Sequence, residues 1–290
     1  MKKKLSVGFV GLTHLGLNYL AAASKKGIKV TGADLNSKKI DKINNFIIEH
    51  KEPRLKNTIY RNRKNIFFTN NFSSLKECKI VFISQDVETD SRGKGNFNYL
   101  RKLINKTIKF INKESLLIIL SQVKPGFTRS INFDKSRLYY QVETLIFGNA
   151  LERALNPERI IIGCDNSKFK VNRFFLHYLK KFNCPIIKMK YESAELTKIS
   201  INVLLASSIT TANALAQASK EVSADWYEIM PALKLDQRIG KKAYIKPGLG
   251  ISGGNVERDI ASISEILRKN VEQSSFIKSF QKNSQYMKSW

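Results

Sequence analysis

Lys198 and Asn202 lie four positions apart in the run Ala194-Glu195-Leu196-Thr197-Lys198-Ile199-Ser200-Ile201-Asn202. On a helix that spacing puts both side chains on one face. An ammonium beside an amide can grip an alcohol or carbonyl oxygen, the lysine stabilising charge on that oxygen as hydride leaves for an acceptor. A seat for such an acceptor is offered far upstream, by Gly11-Leu12-Thr13-His14-Leu15-Gly16 and by Asp34, which follows Gly16 by 18 residues. The first glycine serves a tight turn and the last lets a helix pack on a strand, while a middle glycine would let the backbone approach a pyrophosphate. Thr13 stands at that middle place, so the pyrophosphate is expected to shift outward, with the threonine hydroxyl offered in return. Binding at a helix N-terminus needs only free N–H groups and the helix dipole. A carboxylate at Asp34 can accept both ribose hydroxyls and repel a 2′-phosphate, which favours NAD over NADP.

The elements around these residues alternate. Leu5 to Val10 is an apolar run ending at Gly11, and Leu15 to Lys26 has helical spacing. Ile28 to Ala33 is a second strand, and Ser37 is the expected N-cap of a helix from Lys38 to Asn45. Further strands are read at Ile66 to Thr69, Ile80 to Ser84, Leu116 to Ser121, Ile160 to Gly163 and Pro185 to Met189. Helices are read at Ser73 to Glu77, Tyr99 to Ile111 and Val171 to Lys181. Continuous apolar strands of this kind belong to a parallel sheet covered on both faces. The stretch after Pro125 is mixed in character and receives no element. Ala194 to Ala224 has neither Gly nor Pro and reads as one long helix, able to supply a dimer surface. Asp225 to Leu235 reads as helical with an interruption at Pro231. A loop from Lys246 to Gly254, with four glycines in seven positions, precedes a helix from about Val256 to Lys269. The fold class is therefore α/β, a Rossmann-type doubly wound parallel sheet followed by a long-helix all-α domain, with residues 1–192 and 193–290 as the two domains.

The 290 residues include 42% hydrophobic and 10% aromatic residues, which excludes a mini-protein and a disordered chain. Fifty Lys+Arg against 24 Asp+Glu give a formal charge of +26. The lysines are scattered and none is interleaved with an aromatic stacking platform, so no nucleic-acid partner is expected; the charge favours anionic small molecules instead. Cys78, Cys164 and Cys184 are isolated from one another, suggesting neither disulfides nor a metal site but buried thiols in a reducing compartment. No secretion signal or membrane span is read, and the expected location is the cytoplasm.

Motifs in the second half carry a resemblance. The run at Ala194–Asn202 is followed by Asp236-Gln237-Arg238-Ile239-Gly240 and by Gly253-Gly254-Asn255-Val256-Glu257-Arg258-Asp259. Earlier come Ser121-Gln122-Val123-Lys124-Pro125-Gly126, Val142-Glu143-Thr144-Leu145 and Asn156-Pro157-Glu158-Arg159-Ile160-Ile161-Ile162-Gly163. In this order they resemble the UDP-glucose/GDP-mannose dehydrogenase family. The resemblance implies that Asp259 and Glu143 join Lys198 and Asn202 in the catalytic group, and that Gln122 lies in a loop touching the cofactor. It also implies that Arg238, Gly253, Gly254 and Asn255 face the substrate, Arg238 from a neighbouring subunit. The family's four-electron enzymes carry a cysteine where Asn255 stands, a threonine where Gln122 stands and a second glutamate where Phe147 stands. An amide cannot form the covalent adduct of a thioester route, so at most a two-electron oxidation is expected. The family's further α/β domain for the substrate nucleotide is expected to be absent, or supplied by a separate chain.

The leading expectation is an NAD-dependent oxidoreductase acting on a CH–OH group of a sugar or nucleotide sugar, working as a homodimer through helix 194–224, without metal, nucleic acid or membrane. Two alternatives stay open: a β-hydroxyacid-dehydrogenase-like enzyme for a small hydroxy acid, and a non-catalytic partner subunit binding NAD or a nucleotide sugar.

Overall fold

The computed structural model describes residues 5–88, 95–168, 170–248, 250–251 and 254–289. These divide into two compact units, residues 5–88 with 97–198, and residues 199–289 together with 95 and 96.

The first unit is built on eight strands: β1 (Ser6–Val10), β2 (Lys29–Ala33), β3 (Ile66–Thr69), β4 (Ile80–Ile83), β5 (Leu116–Ile119), β6 (Leu138–Gln141), β7 (Ile160–Cys164) and β8 (Ile186–Lys190). They form one sheet in the order β3-β2-β1-β4-β5-β6-β7-β8. Every neighbouring pair is parallel except β6 and β7, which run antiparallel. The helices are α1 (His14–Lys25), α2 (Ser37–Asn44), α3 (Leu55–Arg61), α4 (Asn98–Phe110), α5 (Ala150–Leu155) and α6 (Arg173–Lys180), with a short 3-10 turn at Phe72–Glu77. The sheet is doubly wound, because alternate strand residues face separate cores. Phe9, Ile80, Phe82, Leu116, Ile118, Ile160 and Ile162 pack on one face with α1, α3, α5 and α6. Val10, Val81, Ile83, Leu117, Ile119 and Ile161 pack on the other with α4. Burial on both faces explains why the central strands read as unbroken apolar runs.

Three local expectations are corrected. The cap of α2 is Asn36, whose Oδ1 accepts from the Lys39 N–H at 3.1 Å, so Ser37 is the first helical residue rather than the cap. The unassigned stretch after Pro125 contains β6, a fully buried strand that includes Tyr140 and Gln141. Cys184 is partly exposed, unlike the buried Cys78 and Cys164, and all three thiols are free.

The long helix α7 spans Tyr191–Glu221. Its first residues belong to the first unit, where Tyr191 and Ala194 pack into the sheet core. A Cβ at Gly163 of β7 would lie 3.0 Å from the Ala194 Cβ and 3.1 Å from the Tyr191 Cα, so a residue without a side chain is what lets the helix start come this close. By length and composition alone α7 could cross a bilayer: an 18-residue window has mean hydropathy 1.4, and 28% of that window is buried.

The second unit contains most of α7, then α8 (Trp226–Leu235), α9 (Gly254–Ile266) and α10 (Val271–Ser289). Pro231 lies inside α8 without ending it. Ala206, Ile251, Ile260, Ile277 and Phe280 form the core of this unit. The described part of the glycine-rich loop is held by its own chain. Gly250 has φ +92° and packs against Ser284, whose hydroxyl accepts from the Ile251 N–H at 2.8 Å, while the Gly248 N–H donates to Asn213 Oδ1 at 2.9 Å.

Candidate functional site

In an open α/β sheet, ligands settle outside the carboxyl ends of the strands where strand order reverses, here between β1 and β4. The turn Gly11 to Gly16 lies at that crevice. Gly11 has φ +91°, and a Cβ there would stand 2.8 Å from the Gln85 backbone. A Cβ on Gly16 would sit 2.1 Å from the Gly11 carbonyl oxygen and 2.8 Å from Ser84 Oγ. Both positions therefore exclude any side chain. The turn is tied to β4 as well, since Ser84 Oγ donates to the Gly11 oxygen at 3.0 Å.

Asp34 is brought directly onto this turn. Its buried carboxylate accepts from the Leu12 N–H at 2.9 Å, the Asn36 N–H at 3.0 Å and Lys39 Nζ at 2.9 Å. The acid is thus fixed at the end of β2, against the Gly11–Gly16 turn. Lys39 escaped the sequence reading, although its place one turn into the helix that follows Asp34 was available as a signal.

Thr13 corrects an expectation. Its hydroxyl donates to the Ser84 carbonyl at 3.2 Å and accepts from the Asp86 N–H at 3.1 Å, so it fastens the turn to the segment after β4 instead of pointing at an anion. The acid of that segment, Asp86, also went unnoticed in the sequence. Its Oδ2 accepts from the Leu15 N–H at the start of α1 at 3.4 Å. Asp86 is exposed by surface area, yet in the concave crevice protein surrounds it on most sides. Desolvation accordingly raises its pKa above the ordinary aspartate value, against hydrogen bonds from Thr13 and Leu15.

His14 is buried and its Nε2 lies 2.9 Å from Glu52 Oε2. Glu52 also accepts from the N–H groups of Gly148 and Ala150, at 3.1 and 2.8 Å. Burial works to raise the Glu52 pKa, but these three donors outweigh it and the net shift is downward. The exposed ring of Phe147 stacks on His14 with centroids 4.4 Å apart. Gln122, in the loop after β5, is buried at 7% exposure.

Lys198 and Glu143 meet as a buried pair, Nζ to Oε1 2.7 Å, with side-chain exposures of 8% and 9%. Glu143 Oε2 accepts from the Leu145 N–H at 3.0 Å, which holds the carboxylate against its own loop. One turn earlier on α7, the Glu195 carboxylate takes the N–H groups of Gly126 and Thr128 at 2.6 and 2.8 Å and so locks the loop after β5 onto the helix. A lysine that reads in isolation as a solvated helix face is therefore held inside the first unit.

In the second unit Asn202 Nδ2 donates to Asp259 Oδ2 at 2.7 Å, with both residues buried. Gly254 opens α9, and in its first turn the exposed Asn255 accepts from the Arg258 guanidinium at 2.9 Å through Oδ1. Gly253 lies outside the described residues. Arg238 is 89% exposed at its side chain and is chelated by Asp236, 3.0 Å from Nε and 2.7 Å from Nη2, which raises its pKa. Among the described residues no group of three or more His, Cys, Asp or Glu is placed to hold a metal ion.

Comparisons with known proteins identify the family. Residues 5–178 match the UDP-glucose/GDP-mannose dehydrogenase family, NAD binding domain, and residues 192–285 match the central domain of the same family. The UDP-glucose 6-dehydrogenase of Rickettsia bellii is 29% identical over 276 residues, covering 92% of this chain and 63% of that protein. UDP-glucose 6-dehydrogenase TuaD of Bacillus subtilis is 27% identical over 278 residues, covering 92% and 59% respectively. The chain thus spans about three fifths of the length of these two relatives. In fold it is similar to a UDP-glucose dehydrogenase from the archaeon Pyrobaculum islandicum, with TM-score 0.87 and 24% identity, covering 98% of this chain and 68% of that one. The chain belongs to the UDP-glucose/GDP-mannose dehydrogenase family and carries that family's NAD-binding domain.

Proposed function

We propose that the protein is an NAD-dependent oxidoreductase that removes two electrons from a CH–OH group of a sugar or nucleotide sugar. The observation that carries this reading is the buried Lys198–Glu143 pair, because sequestering an ammonium from water is costly and is tolerated here only with a carboxylate at 2.7 Å. The turn and Asp34 fit a dinucleotide: Gly11 and Gly16 exclude side chains, and the acid stands at the ribose position. Gly11, Leu12, Thr13, His14, Leu15, Gly16, Asp34 and Gln122 are the residues assigned to it. NAD, when bound, supplies the hydride acceptor.

On the protein side, Lys198 stabilises negative charge on the substrate oxygen, and Glu143 fixes the ammonium and can receive a proton from it. Asn202 is assigned to an oxygen or a water, and is oriented in turn by Asp259. Gly253, Gly254, Asn255 and Arg238 are assigned to the substrate. Asn255 offers no nucleophile for a covalent aldehyde adduct, so oxidation stops at two electrons. The apolar side chains Leu204 and Leu215, exposed on α7, support a homodimer through that helix. The assigned place of action is the cytoplasm.

The test is hydride transfer to NAD, followed at 340 nm, with UDP-sugars, free sugars and small hydroxy acids as donors. Turnover that is lost in Lys198→Ala supports the reading, and turnover confined to small hydroxy acids selects a β-hydroxyacid-dehydrogenase-like enzyme. NAD binding without turnover on any donor selects a non-catalytic binding subunit, a reading supported by Asn255 and Phe147 at positions that call for a nucleophile and an acid.

A further inference from the structure

The free N–H groups at the start of α1 are where a pyrophosphate is expected to settle, drawn by hydrogen bonds and the helix dipole. One of them, on Leu15, already points at Asp86 Oδ2, 3.4 Å away. The backbone of Asp86 is fastened to the same turn through Thr13 Oγ1, so this carboxylate is not a remote surface acid that happens to pass by. A dinucleotide arriving at the turn brings negative charge onto ground held by a negative side chain. The groups facing Asp86 from the neighbouring elements are His14 on α1, His50 in the segment after α2 and Glu143 in the segment after β6. The two histidines relieve this repulsion when protonated, and Glu143 adds to it.

We propose that Asp86 is a built-in competitor for the pyrophosphate seat, so that dinucleotide binding by this chain takes up a proton and tightens as the pH falls. This inference rests on the reading of the turn as an NAD site. The ionised carboxylate must either withdraw from Leu15 or be neutralised before the phosphates occupy the N–H groups. Protonation does the second without moving the backbone. The raised pKa of the carboxyl acts in the same direction, since less acid is needed to neutralise it.

The test is a calorimetric titration of the full chain with NAD, with ADP and with adenosine, from about pH 4.5 to about pH 8 at constant ionic strength. The proteins are the wild type, Asp86→Asn and His50→Gln, the latter changing a group that faces Asp86 but is not assigned to the dinucleotide. Asparagine keeps an acceptor for the Leu15 N–H, and residue 86 is exposed, so the variant retains the fold. Asp86→Asn should bind NAD and ADP about tenfold more tightly than the wild type at neutral pH, the effect of removing one charge from a partly hydrated site. It should also lose most of the pH dependence, which His50→Gln retains. Adenosine, without phosphate, should bind all three proteins with little dependence on pH. Equal affinity and equal pH slope in the wild type and Asp86→Asn would overturn the proposal, as would a slope abolished by His50→Gln alone. Failure of all three proteins to bind NAD at any pH would instead defeat the NAD reading itself, and the proposal with it.

Discussion

Replacing Lys198 with methionine keeps most of the side-chain volume and removes the ammonium, leaving Glu143 as a buried carboxylate without its partner. The gross attraction between the two charges at 2.7 Å is about 6 kcal/mol at an effective dielectric constant near 20. Most of that offsets the desolvation of both ions, so the intact pair adds little net stability. Breaking it is a different matter. Removing one member of such a buried pair costs about 3–5 kcal/mol, because the survivor stays desolvated. For a unit of this size that loss lowers the unfolding midpoint by about 6–20 °C. The double variant Lys198→Met/Glu143→Leu removes both charges and should recover most of the loss. Thermal unfolding followed by circular dichroism, with urea titration as a second measure, reads this pattern. Hydride transfer should be absent from both variants, which separates the chemical role of the lysine from its role in stability. Two results would refute the reasoning: an unchanged midpoint in Lys198→Met, or a double variant as unstable as the single one, which would trace the loss to packing rather than to a stranded charge.

Gly16→Ala should destabilise the first unit by about 3 kcal/mol, the upper end for overpacking, since the added Cβ would meet the Gly11 carbonyl at 2.1 Å; it should also abolish NAD binding, and a wild-type unfolding midpoint would contradict the tight turn. The lowered pKa of Glu52 means that its stabilising contribution is fully present above the ordinary glutamate range and is lost as pH falls through the depressed folded value. Urea midpoints of the wild type should therefore decline on acidification below about pH 4.5, and Glu52→Gln should show a lower midpoint at neutral pH with a shallower decline; parallel curves would rule this out. Asn202→Leu takes from buried Asp259 its 2.7 Å donor and should cost about 1–3 kcal/mol, together with a loss of turnover measurable as kcat; full activity would remove Asn202 from the site.

The strands of the sheet centre were legible because burial on both faces demands unbroken apolar runs, and Ile80–Ile83 and Leu116–Ile119 satisfy that demand with no polar residue. β6 was not. Leu-Tyr-Tyr-Gln has no run and no clean alternation, and only its place between β5 and β7 gives those side chains a buried environment. The helices α3 and α10 also went unassigned. The first spans only seven residues, and the second, though one continuous 19-residue helix, buries a narrow stripe in which Ser274 and Ser284 stand beside Ile277, Phe280 and Met287, so both depend on packing rather than on propensity.

The dinucleotide turn could be read directly because its requirements are local. A left-handed residue at Gly11, a close approach at Gly16 and an acid at the end of the next strand all fall within one βαβ unit. The four-residue spacing of Lys198 and Asn202 was equally visible as a pattern. What the pattern left open was whether the lysine faces water, and the answer came from Glu143, 55 residues earlier, delivered by the loop after β6. Asp86 on the Leu15 N–H group, Glu52 behind His14 and the Thr13 hydroxyl turned toward Ser84 belong to the same class. Backbone geometry and hydrophobic periodicity are written into neighbouring residues, so the amino-acid order determines them. The partner of a buried charge comes from whichever segment the chain topology lays beside it, and only the folded arrangement of strands and loops decides which one that is.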